Sequence, residues 1–208
     1  MTPKVSVLIP AYNAENTIKR AIDSIPDRED IEVIVYDDGS DDNTFDIACD
    51  AVARRKGVVT VEADGVNCGV AHAVNELLDM AKGEFVVLLG SDDWLITKNF
   101  NLVVDMLKPN LDLVYFNLEI NDGSIFGLHE DTKYMYCGST KFMRRAFVGD
   151  TRLDESKKAG EDWYFFGELQ SKHPKEAFTN ITAKHYNFPR EGSLSWKQRH
   201  GEFGEGEV

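Results

Sequence analysis

Two periods of apolar residues alternate along the first half of the chain. Short apolar runs predict buried strands at 5–9, 31–36, 58–61 and 85–89, and we expect Pro10 to end the first of them. Apolar residues between these runs recur every three or four positions, which is typical of helices that bury one face. The helical sets are Ile18, Ala21, Ile22 and Ile25; Phe45, Ala48, Cys49 and Val52; and, within 70–81, Val70, Ala73, Val74, Leu77 and Leu78. This alternation predicts a parallel sheet with right-handed crossovers.

The pattern loosens after Trp94. It predicts a helix that includes Phe100, Leu102, Val103, Met106 and Leu107 and ends near Pro109; strands at 111–118 and 124–128, joined by a turn at 121–123; and a helix at 163–169. No linker rich in Pro, Gly or Ser separates the two parts of the chain. We therefore expect residues 1–105 and 106–200 to form two halves that share one core, followed by a flexible acidic tail at 201–208.

Net charge and cysteine content indicate which ligands are disfavoured and in which compartment we expect the protein. The chain has 208 residues and a net charge of −13, which disfavours nonspecific binding to nucleic acid or to an anionic membrane. Its three cysteines are widely spaced and odd in number, so we expect them to be reduced. No apolar run approaches the roughly 20 residues that span a bilayer, and no signal-peptide pattern is present. The sequence predicts a cytoplasmic protein without a transmembrane segment.

The most informative junction lies where the predicted strand at 85–89 ends. Two carboxylates, Asp92 and Asp93, follow this apolar run almost directly. Because an unpaired buried charge is costly, we expect both to lie at the mouth of the sheet or to hold a cation. Ligands bind at the carboxyl ends of the strands in open α/β sheets, and carboxylate oxygens suit Mg²⁺ or Mn²⁺. The junction predicts a metal-assisted enzyme that acts on a phosphorylated molecule.

Five segments, taken in their order along the chain, resemble the motifs of family 2 glycosyltransferases. The segments are 5–13, 37–42, 67–69 with Asn75, 82–93, and 160–162. The resemblance implies an α/β GT-A fold, with a Rossmann-like, mostly parallel sheet flanked by helices and a smaller mixed half on the acceptor side. It also implies metal-dependent transfer of a sugar, with inversion, from a nucleotide-diphosphate donor to an acceptor hydroxyl, and a UDP-linked donor is the leading expectation.

The same resemblance implies which residues contact the donor. Tyr12 would stack on the nucleotide base, and Asp38 would accept the imide N–H of uracil, a task that Asp37 would share. A plain Asp-Gly turn, in which Asp bonds its own backbone, is the alternative for this segment. The full set of implied donor contacts is Pro10, Tyr12, Asp37, Asp38, Asn67, Gly69, Asn75, Ser91, Asp92 and Arg190.

For the cation, Mn²⁺ or Mg²⁺, the resemblance implies Asp93 as the main ligand, with Asp92 holding ribose or a metal-bound water and His185 as a further ligand. Gly90 departs from the commoner form of the motif, which has another Asp there. Capping of the next helix is the alternative for the acidic pair. His185 is alternatively an ordinary core or surface histidine, and Arg190 a solvated loop residue instead of a phosphate clamp.

Asp162 resembles the general base of the family, and Glu161 is the competing candidate. Inverting transfer needs a carboxylate that takes the proton of the acceptor hydroxyl. The aromatic run at 163–166 would form an apolar wall and a platform for a sugar. The alternative is an acidic first turn of a helix, which the helix dipole stabilises. Both interpretations can hold at once.

Two other functions compete with this hypothesis. A sugar-phosphate nucleotidyltransferase needs a glycine-rich phosphate loop after the first strand, and residues 10–13 contain no glycine. A nucleotide-sugar-binding module without turnover is the second alternative, and the presence of both Asp93 and Asp162 argues against it. For the acceptor, a glycan, a lipid-linked sugar, a protein or a nucleic-acid base remain open. The acidic balance of the chain disfavours the nucleic-acid base.

Overall fold

The computed structural model of the protein describes residues 2–57, 59–127, 137–157 and 160–188. Its strands are β1 (Val5–Ala11), β2 (Ile31–Asp38), β3 (Val59–Asp64), β4 (Phe85–Leu88), β5 (Trp94–Leu95), β6 (Leu113–Ile120), β7 (Ile125–Phe126), β8 (Lys141–Arg144) and β9 (Glu176–Tyr186). Its helices are α1 (Ile18–Ser24), α2 (Thr44–Val52), α3 (Val70–Met80), α4 (Thr97–Met106), α5 (Arg145–Val148) and α6 (Glu161–Ser171), and a 3₁₀ turn spans Gly138–Thr140.

One sheet contains all nine of these strands. Its order is β3-β2-β1-β4-β8-β6-β9-β5, and β7 extends it by pairing with β6. The first four strands pair in parallel, β8 lies antiparallel between β4 and β6, and β9 runs parallel to β6. The predicted α/β architecture, with a parallel first part and a mixed second part, is confirmed.

Helices cover both faces of the parallel strands, which explains why those strands are apolar runs without alternation. Val7 faces the cluster that contains α1, α2 and α4, whereas its neighbour Leu8 faces the cluster that contains α3 and α6. Both residues are fully buried. Among the described residues, the loops that leave the carboxyl ends of the strands carry most of the candidate site residues.

Two predicted boundaries were wrong at this edge of the sheet. Pro10 does not end β1, which continues to Ala11. Strand β4 pairs with β1 only as far as Leu8, so Pro10 lies where β2 is its remaining partner strand and its missing N–H is tolerated. The acidic turn predicted at 37–42 also begins later, because Asp37 and Asp38 are the last residues of β2 and are buried.

Strands β5, β8 and β9 were not predicted. Strand β8 is four residues long and begins with a lysine, so no apolar run marks it. Strand β9 pairs along β6 with a shift in register, and its polar residues hide the period of two. The predicted helix at 163–169 is confirmed as α6, which begins two residues earlier and therefore includes Glu161 and Asp162. Val58, the end of the strand predicted at 124–128 and the tail at 201–208 lie outside the described residues.

Candidate active site

Asp38 joins the end of β2 to the loop before α3. Its two carboxylate oxygens accept the backbone N–H groups of Cys68 and Gly69, at 2.8 and 2.7 Å. The plain Asp-Gly turn therefore does not describe Asp38, which holds a loop 30 residues further along the chain in place.

Asp37 points to the opposite face of β2, as successive residues of a strand must. Its carboxylate accepts hydrogen bonds from the backbone N–H and the hydroxyl of Ser40. The Ser40 hydroxyl in turn accepts the N–H of Asn13, at 2.8 Å, which links this turn to the loop after β1. Asp37 and Asp38 therefore do not share one contact, and Tyr12, the neighbour of Asn13, is left half exposed at the rim.

Gly39 is required where these loops meet. Its φ of +69° lies in the left-handed region, and a Cβ there would lie 2.5 Å from the backbone carbon of Val66. Any side chain would push the loop at 65–69 away from the end of β2. The edge formed by the loops after β1, β2 and β3, where Tyr12 is exposed, is the candidate site for a nucleotide base.

Asp93 lies in a buried ion pair with Lys184. The Lys184 Nζ is 2.8 Å from Asp93 Oδ2, and the two residues are 0% and 1% exposed. The other oxygen of Asp93 accepts the N–H of Asn187, at 2.9 Å. Asp93 therefore holds β9 and the segment after it against the end of β4, and its charge is already compensated by a side chain of the protein.

Asp92 has a different environment from its neighbour. Its side chain is only partly buried, and its backbone carbonyl accepts a hydrogen bond from the Arg20 guanidinium, at 2.7 Å. Gly90 allows both carboxylates to fold back over the end of β4, because a Cβ at Gly90 would lie 2.8 Å from Asp93 Oδ2 and 3.2 Å from Asp92 Oδ1. A glycine at position 90, where the commoner motif has Asp, therefore lacks one carboxylate but leaves space for the carboxylates of Asp92 and Asp93.

His185 lies on the other face of β9 from Lys184, because the two are successive residues of one strand. Its ring stacks on Trp94 with centroids 3.8 Å apart, its Nε2 is 3.0 Å from Asn121 Oδ1, and its Nδ1 is 3.9 Å from Glu119. This placement separates His185 from the face where Lys184 meets Asp93. It supports the alternative of an ordinary histidine, and we leave His185 out of the proposed metal site.

The donor atoms at the end of β4 fit a Mg²⁺ or Mn²⁺ that is shared with a substrate. Within the described ranges, no three His, Cys, Asp or Glu side chains are grouped to hold a metal by themselves. Mg²⁺, however, is usually bound through one or two carboxylates together with substrate phosphates and water. Asp92 and Asp93 both place a carboxylate oxygen beside Gly90, and Asp93 also pairs with Lys184.

The second acidic motif occupies the first turn of α6. Burial raises the pKa of both Glu161 and Asp162, so each holds a proton more tightly than an exposed carboxyl does. For Asp162, the N–H of Trp163, the charge of Lys141 and the N–H of Gly138 act in the opposite direction. A carboxyl group whose pKa is raised by burial is a candidate for proton transfer in a reaction.

The aromatic run that follows is divided between core and surface. Phe165 and Phe166 are buried, whereas Trp163 and Tyr164 are 49% and 63% exposed. The two exposed rings directly follow Asp162 at the start of α6, and the Lys157 ammonium lies 4.4 Å from the centroid of the Tyr164 ring.

The remaining candidates divide into three groups. Asn75 is buried, and its amide bonds the backbone of Leu153 in both directions and the carboxylate of Glu155, so it positions the segment before α6. Asn67 is exposed in the loop before α3, and Ser91 is half buried after β4. Arg190 lies outside the described residues.

Sequence reasoning missed three residues of this region. Lys184 compensates Asp93, Lys141 lies near Asp162, and Arg20 packs on Trp94 with its guanidinium carbon 4.0 Å from the ring. Neither lysine lies in a motif, and both belong to strands that the apolar pattern did not reveal. Of the three, only Arg20 could have been predicted to be exposed, because it lies on a predicted helix opposite the apolar face.

Comparison with known proteins adds to this geometry. The model of a protein family described as "Glycosyl transferase family 2" matches residues 6–169. The chain is similar to the UDP-Glc:alpha-D-GlcNAc-diphosphoundecaprenol beta-1,3-glucosyltransferase WfgD of Escherichia coli, with 38% identity over 128 residues, which cover 59% of this chain and 49% of that protein. The chain thus spans about half the length of this relative.

Two solved structures have the same fold. The crystal structure of S. aureus TarS 1-349 in complex with UDP-GlcNAc matches with a TM-score of 0.78 and 23% identity, over 91% of this chain and 60% of that one. The mannosyltransferase PcManGT from Pyrobaculum calidifontis, in complex with GDP-Man and Mn2+, matches with a TM-score of 0.75 and 19% identity, over 97% and 62% of the two chains. The predicted GT-A fold is confirmed by these matches. No helix among the described residues is long and apolar enough to span a membrane.

Proposed function

We propose that this chain, which belongs to glycosyl transferase family 2, transfers a sugar from a UDP-linked donor to an acceptor hydroxyl with inversion. One observation carries the proposal. Gly138 lies between the two acidic motifs. A Cβ added at Gly138 would lie 3.3 Å from the Leu88 side chain, at the end of β4, and 3.4 Å from the Phe166 ring, one turn after Asp162. A donor held at the end of β4 and a base on α6 would thus face one another across a single turn.

The donor would lie along the carboxyl edge of the sheet. Tyr12 provides an exposed ring for the nucleotide base, and Asp38, which holds the loop before α3, would accept a base N–H. Asp92 is the residue that we propose as the protein ligand of Mn²⁺ or Mg²⁺, in place of Asp93. When bound, such an ion neutralises charge that develops on the departing nucleoside diphosphate.

Asp162 would take the proton of the acceptor hydroxyl. It lies in the first turn of α6, and burial raises its pKa, so that it would bind a proton more tightly than an exposed aspartate does. Glu161 shares the burial and remains the competing candidate. Because the acceptor attacks directly in an inverting transfer, the protein needs no nucleophile of its own.

The acceptor would enter beside Trp163 and Tyr164, whose exposed rings can stack on a sugar. The relative from Escherichia coli is named for an acceptor that is a diphosphoundecaprenol-linked sugar. We therefore propose a lipid-linked sugar or a glycan as the acceptor, and the net charge of −13 continues to disfavour nucleic acid.

A donor-hydrolysis assay tests the proposal without knowledge of the acceptor. Purified protein is incubated with UDP-glucose or UDP-GlcNAc, with Mn²⁺ or with EDTA, and free UDP is measured. Release of UDP that requires Mn²⁺ supports a glycosyltransferase. Donor binding in calorimetry without any release, in the presence of candidate lipid-linked acceptors, would instead favour a binding module.

A further inference from the structure

Helix α1 lies alongside the acidic turn that follows β4. The Arg20 guanidinium donates a hydrogen bond from Nη2 to the backbone carbonyl of Asp92, at 2.7 Å. One turn further along α1, the Ser24 hydroxyl accepts the backbone N–H of Leu95, at 2.9 Å. Because residues four apart share a helix face, one side of α1 holds the chain both before and after Trp94.

The ring of Trp94 fixes the orientation of the Arg20 side chain. The guanidinium carbon lies 4.0 Å from the centroid of that ring, and the ring itself stacks on His185 with centroids 3.8 Å apart. A flat guanidinium packs well on an aromatic face, and its charge is attracted to that face. Arg20 is exposed, so this contact, and not burial, restricts the direction in which its N–H groups point toward Asp92.

The peptide group between Asp92 and Asp93 is held at both of its polar atoms. Its carbonyl oxygen accepts the hydrogen bond from Arg20, and its N–H donates to the carbonyl of Gly90, at 3.1 Å. The carboxylate of Asp93 is fixed separately, by the ion pair with Lys184. Because a peptide group is planar, rotating it would change the direction in which the Asp92 side chain leaves the backbone. The bond from Arg20 opposes that rotation.

From this geometry we infer that Arg20 is a positioning residue for Asp92, which holds the Asp92–Asp93 peptide so that the Asp92 carboxylate faces a bound cation. The inference rests on the proposed function, because Arg20 has this role only if Asp92 binds Mn²⁺ or Mg²⁺. Residues that orient a metal ligand without touching the metal change metal affinity by about 10–100-fold when they are replaced. Arg20 should therefore affect the metal-dependent part of nucleotide binding.

A direct contact between Arg20 and a diphosphate is the competing arrangement. A guanidinium has several N–H donors, and the cleft between α1 and β5, lined by Arg20, Lys19 and Trp94, is open to solvent. The two arrangements differ in a measurable way. A positioning residue changes UDP binding only through the metal and Asp92, whereas a phosphate contact also changes UDP binding when the metal or the Asp92 carboxylate is removed.

Calorimetric titration with UDP, in the presence of Mn²⁺ and again in EDTA, tests the role of Arg20. Arg20→Met removes the hydrogen bond and the charge but keeps an unbranched apolar side chain on Trp94. Asp92→Asn and the double variant show whether Arg20 acts through Asp92. Lys19→Met is the matched control, because it removes the neighbouring cation of α1, which is exposed and pairs with Asp23.

With Mn²⁺, we expect Arg20→Met to weaken UDP binding by about tenfold and Lys19→Met to leave it within about twofold of wild type. In EDTA, Arg20→Met should bind UDP as the wild type does. The double variant should bind UDP no more weakly than Asp92→Asn, since both substitutions remove the same metal contact.

Three results overturn the role of Arg20. They are wild-type affinity in Arg20→Met with Mn²⁺, even if the melting temperature of the free protein falls; an equal loss in Lys19→Met; and a further loss in EDTA or in the double variant, which would mean that Arg20 contacts the diphosphate itself. If Asp92→Asn keeps the full Mn²⁺-dependent affinity, the metal role of Asp92 in the proposed function is wrong, which is a separate failure.

Discussion

The ammonium of Lys184 lies 2.8 Å from the Asp93 carboxylate, and both side chains are sealed from solvent at the end of β4. This ion pair gives Asp93 a different environment from that of Asp92, its neighbour in the same acidic motif. Asp93 ties β9 to β4, whereas the side chain of Asp92 is only partly buried. We therefore propose that Asp93 has a structural role and that Asp92 faces the ligand.

This division predicts a specific pattern of stability. Lys184→Met should destabilise the fold by about 3–5 kcal/mol, because it leaves Asp93 buried and uncompensated. The double variant Asp93→Asn with Lys184→Met should recover most of that loss. Urea unfolding of the two variants and the wild type measures the difference, and equal stability of the single and double variants would show that the ion pair is not coupled.

The double variant, compared with Asp92→Asn, decides which carboxylate binds the metal. Asp92→Asn should abolish the additional rise in melting temperature that Mn²⁺ gives to the UDP-bound protein, since its ligand is lost. The Asp93→Asn, Lys184→Met double variant should retain that Mn²⁺-dependent rise. The reverse pattern, with the rise kept in Asp92→Asn and lost in the double variant, would return the metal to Asp93.

Gly39 provides a test of the nucleotide-base edge. Gly39→Ala should lower the affinity for UDP by at least tenfold, because the left-handed φ and the 2.5 Å approach of Val66 force the loop at 65–69 to move. Gly65→Ala is the control in the same loop, since a Cβ there has nothing within 4 Å and its φ is not in the left-handed region. Calorimetric titration with UDP gives both values; a tight-binding Gly39→Ala variant would remove this loop from the base site.

The sequence predicts the first four strands and the acidic site residues, but not the ion pair of Asp93. Apolar runs revealed β1 to β4 and the helices between them, because both sheet faces are covered and the signal is strong. They also placed Asp92, Asp93 and Asp162 at the ends of predicted elements. The ion pair of Asp93 could not be predicted, since its partner lies 91 residues away along the chain, in a strand whose polar residues mask its period.

Lys141 escaped prediction for a related reason. A lysine at the start of a four-residue strand gives no sign of being buried, because its burial depends on α6 and on the turn at Gly138–Thr140 packing around it. The position of His185 depends likewise on the pairing of β5 with β9, which places its ring on Trp94. Contacts between distant strands are the information that a single sequence lacks.

Burial of Asp162 predicts the pH dependence of the reaction. Because its pKa in the folded protein is raised, the acid limb of UDP release should lie above the ordinary aspartate value of about 4. The group binds its proton more tightly in the folded state than in the unfolded state, so its ionisation costs stability as pH rises through that range. Asp162→Asn should therefore be stabilised relative to wild type at pH 7 more than at pH 4, as thermal unfolding at the two pH values will measure.

The most direct measurement of the central claim compares binding with turnover in Asp162→Asn. Titration calorimetry with the UDP-sugar and Mn²⁺ should give a donor affinity within about threefold of wild type, because the base does not hold the donor, while UDP release should fall by at least a hundredfold. Normal affinity with lost turnover is the result that the account predicts. Turnover close to the wild-type rate would contradict it.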